Sequence, residues 1–183
     1  MSTRDILTDL GEDAIRCFGY GGFSYADLAR DAGIKKASIH HHFPAKADLG
    51  LAVLERYAQR LKETLEAISA TSATANEAQT RAIGVYREAL GDGSKMCLCA
   101  ALAGDGERLS DPMQARLAAA NAMVTRWLAK TFEQGASDGS ITAVGDAAGR
   151  PIATLARLQG AQMIARAARD VTLFDEAMQD LTA

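Results

Sequence analysis

Phe23–Asp48 reads FSYADLARDAGIKKASIHHHFPAKAD, and the fold is decided in this stretch. Ser24 stands just before a short helical run, placed to accept the backbone N–H of Asp27, whose carboxylate suits the positive end of a helix. Leu28 and Ala29 put apolar groups on one side of that helix. Ala32-Gly33-Ile34 ends it, with Gly33 supplying the left-handed residue that a helix stop commonly needs. A second helix is predicted over Lys36–His42, with Ile39 and Phe43 at i and i+4 on its buried face. The opposite face carries Lys35, Lys36, Ser38, His40 and His41. A short helix, a glycine turn and a polar, basic second helix are what a helix-turn-helix requires in order to lie in a DNA groove.

Outward from this stretch, the pattern stays helical. Leu7, Leu10, Ala14 and Phe18 recur at helical spacing, widened by Ile6, Ile15 and Cys17, so a supporting helix is expected over about Arg4–Phe18, broken by Gly19, Gly21 and Gly22. After Pro44 a long helix is expected over Lys46–Ser69, with Leu54, Tyr57, Leu61, Leu65 and Ile68 as its inner stripe. Beyond the linker-like SATSATAN, helices are predicted over Glu77–Leu90, Lys95–Ala103, Pro112–Gln134, Pro151–Arg169 and Leu173–Leu181. Pro112 and Pro151 stand at plausible first helical positions. No stretch alternates as a strand would, so the fold class is all-α.

The 183 residues suffice for one large or two small domains, and 48% are apolar, so a sizeable core is available. No apolar run approaches the ~18 residues of a membrane span. MSTRDILTDLGEDA lacks a basic-then-apolar leader pattern, so a cytoplasmic protein is expected. Three cysteines do not make a disulfide framework. A net charge of −3 argues against general nucleic-acid stickiness but leaves room for a local basic site. Between Arg30 and Lys46 stand the cations Arg30, Lys35, Lys36 and Lys46 against Asp31, with three histidines besides.

The run AGIKKASIHHHFPAKADL resembles the recognition-helix signature of TetR-type transcriptional regulators, which usually reads Ala-Gly-Val-Ser-Lys-Gly-Ser-Leu-Tyr-His-His-Phe before a Lys-containing helix start. The resemblance is ordered over residues 1–60 and architectural beyond. Two departures stand out: Lys35 replaces the usual Ser or Thr helix cap, and His40 replaces the usual Tyr. The resemblance implies a DNA-binding domain over 1–46 (motif about 24–43, linking helix 46–69) and a helical effector-binding and dimerisation domain over 47–183. It also implies a homodimeric regulator, most often a repressor, on a near-palindromic double-stranded DNA operator, released by an unknown small-molecule effector.

Position on the second helix puts Lys36, Ala37, Ser38 and His41 within reach of base edges, Lys suiting guanine and Ala37 a thymine methyl. By resemblance, His40 and Lys46 contact phosphates, and Ser24 and Lys35 join them. Ala45 sits where a capping side chain is common, leaving helix N–H groups open to an anion. Read singly, Lys35 and Lys36 are an ordinary solvated face; read as an ordered string they favour DNA. A helical scaffold retaining a non-binding helix-turn-helix is the alternative function.

Other residue groups carry less. Successive histidines on a helix point ~100° apart, so His40–His42 do not converge on one metal ion. Cys97 and Cys99 at i, i+2 lie on nearly opposite sides and read as packing, with thiol sensing as the sharper alternative. Tyr86, Met96, Cys97, Met113, Met123, Trp127 and Met163 are candidates to line a ligand cavity, against the plainer reading that they are core. The helices at 112–134 and 151–169 carry more apolar surface than one partner covers, so they either pair with a second chain in a four-helix bundle or close the monomer's own core; the resemblance implies the dimer. Neither a nucleophile–base pairing, a phosphate-cradling loop, a metal cluster nor a cofactor motif is apparent.

Overall fold

The computed structural model describes residues 2–142 and 149–182. Among these residues there are nine α-helices and no strand: α1 Thr3–Phe18, α2 Tyr25–Ala32, α3 Lys36–His42, α4 Lys46–Thr71, α5 Ala75–Glu88, α6 Leu98–Ala103, α7 Asp111–Asp138, α8 Arg150–Ala168 and α9 Thr172–Thr182. None of them is long and apolar enough to cross a membrane. The chain divides into two compact units, Met1–Gln59 with Leu98–Ala119, and Arg60–Cys97 with Ala120–Ala183. The boundary expected after residue 46 therefore differs from the observed division. Packing splits α4 at 59/60 and returns a stretch from the middle of the chain to the first unit.

In the first unit α1 opens with a reciprocal cap, Ser2 accepting the Asp5 N–H while the Asp5 carboxylate accepts the Ser2 N–H. The expected stripe on α1 is rotated by one position. Leu7, Thr8, Gly11, Glu12 and Ile15 are buried, whereas Phe18 is 69% exposed and Cys17, expected in the core, is half-buried. The buried side is the one that meets α2, the Tyr20–Gly22 turn and α6, and at Gly11, where a Cβ would stand 3.2 Å from Val53 and 3.3 Å from Leu49, α4 passes close as well. Helix α2 has the same reciprocal cap as α1, through Ser24 and Asp27, and stops at Gly33 with φ +66°, as expected. Ile39 and Phe43 are fully buried. Each contributes on the order of 1.5–3 kcal/mol through burial alone.

The second unit is built on the latter part of α4, then α5, most of α7, α8 and α9. Leu61, Leu65 and Ile68 are buried on α4 as their spacing predicts. Helix α6 starts at Leu98 rather than Lys95, because the Cys97 N–H donates 3.0 Å to the Gln162 side-chain oxygen instead of entering a helical turn. The Gln162 amide also donates to the Tyr86 carbonyl at 2.5 Å, so this fully buried polar group is satisfied at both ends. Part of the break expected over residues 135–150 lies outside the described residues.

Candidate nucleic-acid interface

Three side chains fix the pose of α3. The Tyr25 hydroxyl, on the first turn of α2, lies 3.0 Å from the Phe43 carbonyl and 2.7 Å from the Ala45 carbonyl, joining α2 to the bend between α3 and α4. Burial, helped by Asp48 and Tyr20, pushes its pKa up to about 12, so it stays a hydrogen-bond donor. Arg4 donates 2.9 Å to the His42 carbonyl, with its guanidinium 4.3 Å above the Phe43 ring. His40 Nδ1 is 3.1 Å from the Pro44 carbonyl, and its ring meets Tyr25 edge-on at 5.0 Å. A carbonyl partner calls for a proton on Nδ1.

On this frame Lys35, Lys36, Ala37, Ser38, His40 and His41 are all exposed, and Ile39 alone on α3 is fully buried. Lys35 begins the helix without a side-chain cap bond, as its departure from the usual Ser or Thr leads one to expect. Arg30 is held by Asp27 and Asp31, both at 3.2 Å, so among the described residues the uncommitted charge of the motif sits at Lys35 and Lys36. The His41 and His42 rings meet edge-on at 5.3 Å. Among the described residues no group of three or more His, Cys, Asp or Glu gathers around a metal position.

Two expected phosphate contacts are otherwise engaged. Ser24 Oγ donates to Asp27 Oδ2 at 2.7 Å, so its only hydroxyl proton is used inside the cap, beside a carboxylate held below the usual range by that bond. Lys46 Nζ donates 2.5 Å to the Phe23 carbonyl and lies 3.9 Å from the Phe23 ring centroid and 4.9 Å from that of Tyr20. The N–H groups expected to be open at the start of α4 are partly taken as well, since Asp48 Oδ2 accepts the Ala45 N–H at 2.8 Å.

Residues 7–53 match the family model described as bacterial regulatory proteins, tetR family. Along 96% of the chain the sequence is 26% identical to the HTH-type transcriptional repressor NemR of Escherichia coli K12, covering 90% of that protein. A TetR-family transcriptional regulator from Agrobacterium tumefaciens superposes with a TM-score of 0.92 at 28% identity, covering 98% of this chain and 95% of the other. The reduced form of E. coli NemR superposes with a TM-score of 0.79 at 25% identity, covering 98% and 95%. This chain is a TetR-family transcriptional regulator.

In this TetR-family regulator, the sequence pattern named the exposed residues of α3 but not the side chains that hold them. Tyr25 shares its helical face with Leu28 and Ala29, three and four residues on, and that spacing was the available signal. For Arg4, some 38 residues from its partner His42, the sequence carries none. The residues singled out for an effector cavity all fall in the second unit except Met113, which is fully buried in the first. Tyr86, Met96 and Cys97 are buried, and Met123 and Trp127 are half-buried. Trp127 Nε1 is already committed, 2.8 Å from Ser69 Oγ and 3.1 Å from the Leu65 carbonyl. Met163 is 51% exposed on α8, outside any interior. Cys99 is buried, as packing requires.

Proposed function

We propose that this DNA-binding regulator is a homodimeric repressor that leaves a near-palindromic operator when a small-molecule effector binds. The observation that carries the DNA half is the outward face of α3, where Lys36, Ala37, Ser38 and His41 stand exposed above a fully buried Ile39. In this reading Lys36 reads guanine, Ala37 packs on a thymine methyl, and Ser38 and His41 take the remaining base edges. Lys35 holds a phosphate, and so does His40 in the form that carries a proton on both ring nitrogens, since Nδ1 alone is spent on the Pro44 carbonyl. Ser24 joins them only by giving up its bond to Asp27, and Lys46 only by leaving the Phe23 carbonyl. The name of the E. coli relative, a repressor matched along nearly the whole chain, supports the sign of regulation.

The dimer reading rests on α8, where Ile152, Met163 and Ile164 are 55%, 51% and 62% exposed. Ala153, Ala156 and Ala167 are exposed beside them, and on α7 so are Ala115, Ala118, Ala119 and Ala122. Small residues among large apolar ones suit close helix packing across a two-fold axis through the 112–134 and 151–169 helices. Two copies of α3 about 34–36 Å apart would then enter successive major grooves. The effector is proposed to bind in the 47–183 region at Tyr86, Met96, Cys97, Met123 and Trp127. Met163 belongs instead to the dimer face. The protein acts by binding, not catalysis, in the cytoplasm.

A gel-shift titration against a duplex enriched from a random-sequence pool tests the reading. Retardation that weakens steeply with salt is expected, with release by a fraction of a metabolite extract. Failure to enrich any sequence would overturn it.

A further inference from the structure

Residues 98–119 lie far along the chain from the helix-turn-helix yet belong to the same compact unit. Three glycines of the first 59 residues receive their side chains. A Cβ on Gly19 would stand 2.9 Å from Asp105 Oδ2, one on Gly21 would stand 2.5 Å from Arg108 Nη1, and one on Gly50 would stand 2.6 Å from Met113 Cε. A Cβ at any of these positions would displace the outer end of the side chain it meets, so the side chains of this stretch rest against backbone that carries none. Gly19 also has φ +79°, a conformation that other residues seldom adopt.

The polar contacts made there are directed. Asp105 Oδ2 accepts the Tyr20 N–H at 2.7 Å, while Asp105 Oδ1 accepts from Arg108 at 2.9 Å. The Asp105 side chain is only 12% exposed, so its bond to the turn is shielded from water. At the far end of the same turn Lys46 donates to the Phe23 carbonyl and lies over the Phe23 and Tyr20 rings. The turn held in this way runs directly into Ser24, the cap of α2, and then into Tyr25, whose hydroxyl holds the bend after α3.

We propose that Asp105 and Lys46 are positioning residues for operator binding, clamping the two ends of the Tyr20–Phe23 turn so that α2 and α3 keep one pose on DNA. Lys46 acts through the Phe23 carbonyl and not through a phosphate. Burial lowers the Lys46 pKa, with Asp105 drawing it back up, as expected of an ammonium serving inside the protein. The role in DNA binding rests on the operator reading above; the clamp itself does not.

The probe is a duplex enriched from a random pool by the wild-type protein. Lys46→Met is expected to weaken binding about tenfold, in line with loss of a charged hydrogen bond, with the slope of log K against log[KCl] unchanged. A phosphate contact would instead reduce the slope by about 0.9 per subunit, near 1.8 per dimer, and that result would overturn the assignment. Asp105→Ala is expected to lose a similar factor, whereas Asp105→Asn keeps an oxygen for the Tyr20 N–H and recovers most of it. Equal losses in both, or none in either, would overturn the role of Asp105. Hydrogen exchange on the wild-type protein needs no variant: a Tyr20 amide as protected as a helical one is expected, and rapid exchange would remove the clamp. If the wild type enriches no duplex, the operator reading falls, while the exchange measurement still decides the clamp.

Discussion

Helices α3 and α8 both turn an uncovered face outward, yet the faces are opposite in kind. On α3 the exposed residues are Lys36, Ala37, Ser38, His40 and His41, above one fully buried anchor, Ile39. On α8 they include Ile152, Met163 and Ile164, above buried Leu155, Leu158 and Gln162. Exposed cations and hydroxyls cost little in water and suit a polyanion. Exposed branched apolar side chains are unfavourable in water and suit a dry protein surface. One face therefore suits a hydrated, charged partner and the other a dry protein surface.

Removing the buried ring that caps α3, one turn beyond the Ile39 anchor, should have the largest effect. Phe43→Ala takes a fully buried ring from beneath the Arg4 guanidinium and should cost about 3–5 kcal/mol of stability, read as a lower denaturant midpoint. If the midpoint barely moves, α3 does not depend on its buried face. Next is Ile164→Asp, which places a charge in the middle of the exposed α8 face. It should weaken dimerisation by a factor of about 30 or more, measured by light scattering across a dilution series, with the helical content kept. An unchanged dimer would move the two-fold axis off α8.

Lys36→Ala should change base preference more than overall affinity, costing about 1–3 kcal/mol at the position it reads. Re-enrichment from the random pool with the variant checks this, and an identical preferred site would return Lys36 to the solvated surface. The smallest effect is set by pH. Bonds from Ser24 hold the Asp27 carboxyl below its ordinary value. Its contribution to stability is thus fully present above the ordinary carboxylate range near pH 4 and is lost as pH falls through the lower, folded-state value. The stability gap between wild type and Asp27→Asn should be constant at neutral pH and close under acid. A gap that persists at pH 2 would place the effect elsewhere.

The local devices were legible in the sequence. Ser24 with Asp27, Gly33, and the Ile39–Phe43 pair each act over four residues or fewer, and at that range backbone geometry leaves little choice. The polar face of α3 followed from the same spacing. The buried side of α1 was not legible, because Leu10, Ala14 and Phe18 satisfy helical periodicity as well as Leu7, Gly11 and Ile15 do. What separates them is packing against α2, the Tyr20–Gly22 turn and α6, with Val53 and Leu49 coming within 3.2–3.3 Å of where a Gly11 Cβ would be. Likewise nothing in the order of residues pairs Tyr20 with Asp105, 85 positions away.

The amino-acid order by itself determined that the chain is helical, where the short helices α2 and α3 begin and end, and which side chains of α3 stand exposed. These follow from caps, glycine and helical periodicity, all interactions between near neighbours. Only the tertiary structure decided which face α1 buries, that Lys46 spends its ammonium on the Phe23 carbonyl, and that residues 98–119 belong with the first 59. Those outcomes depend on which surfaces fit together without a gap, and that fit is a property of the packed chain, not of any segment within it.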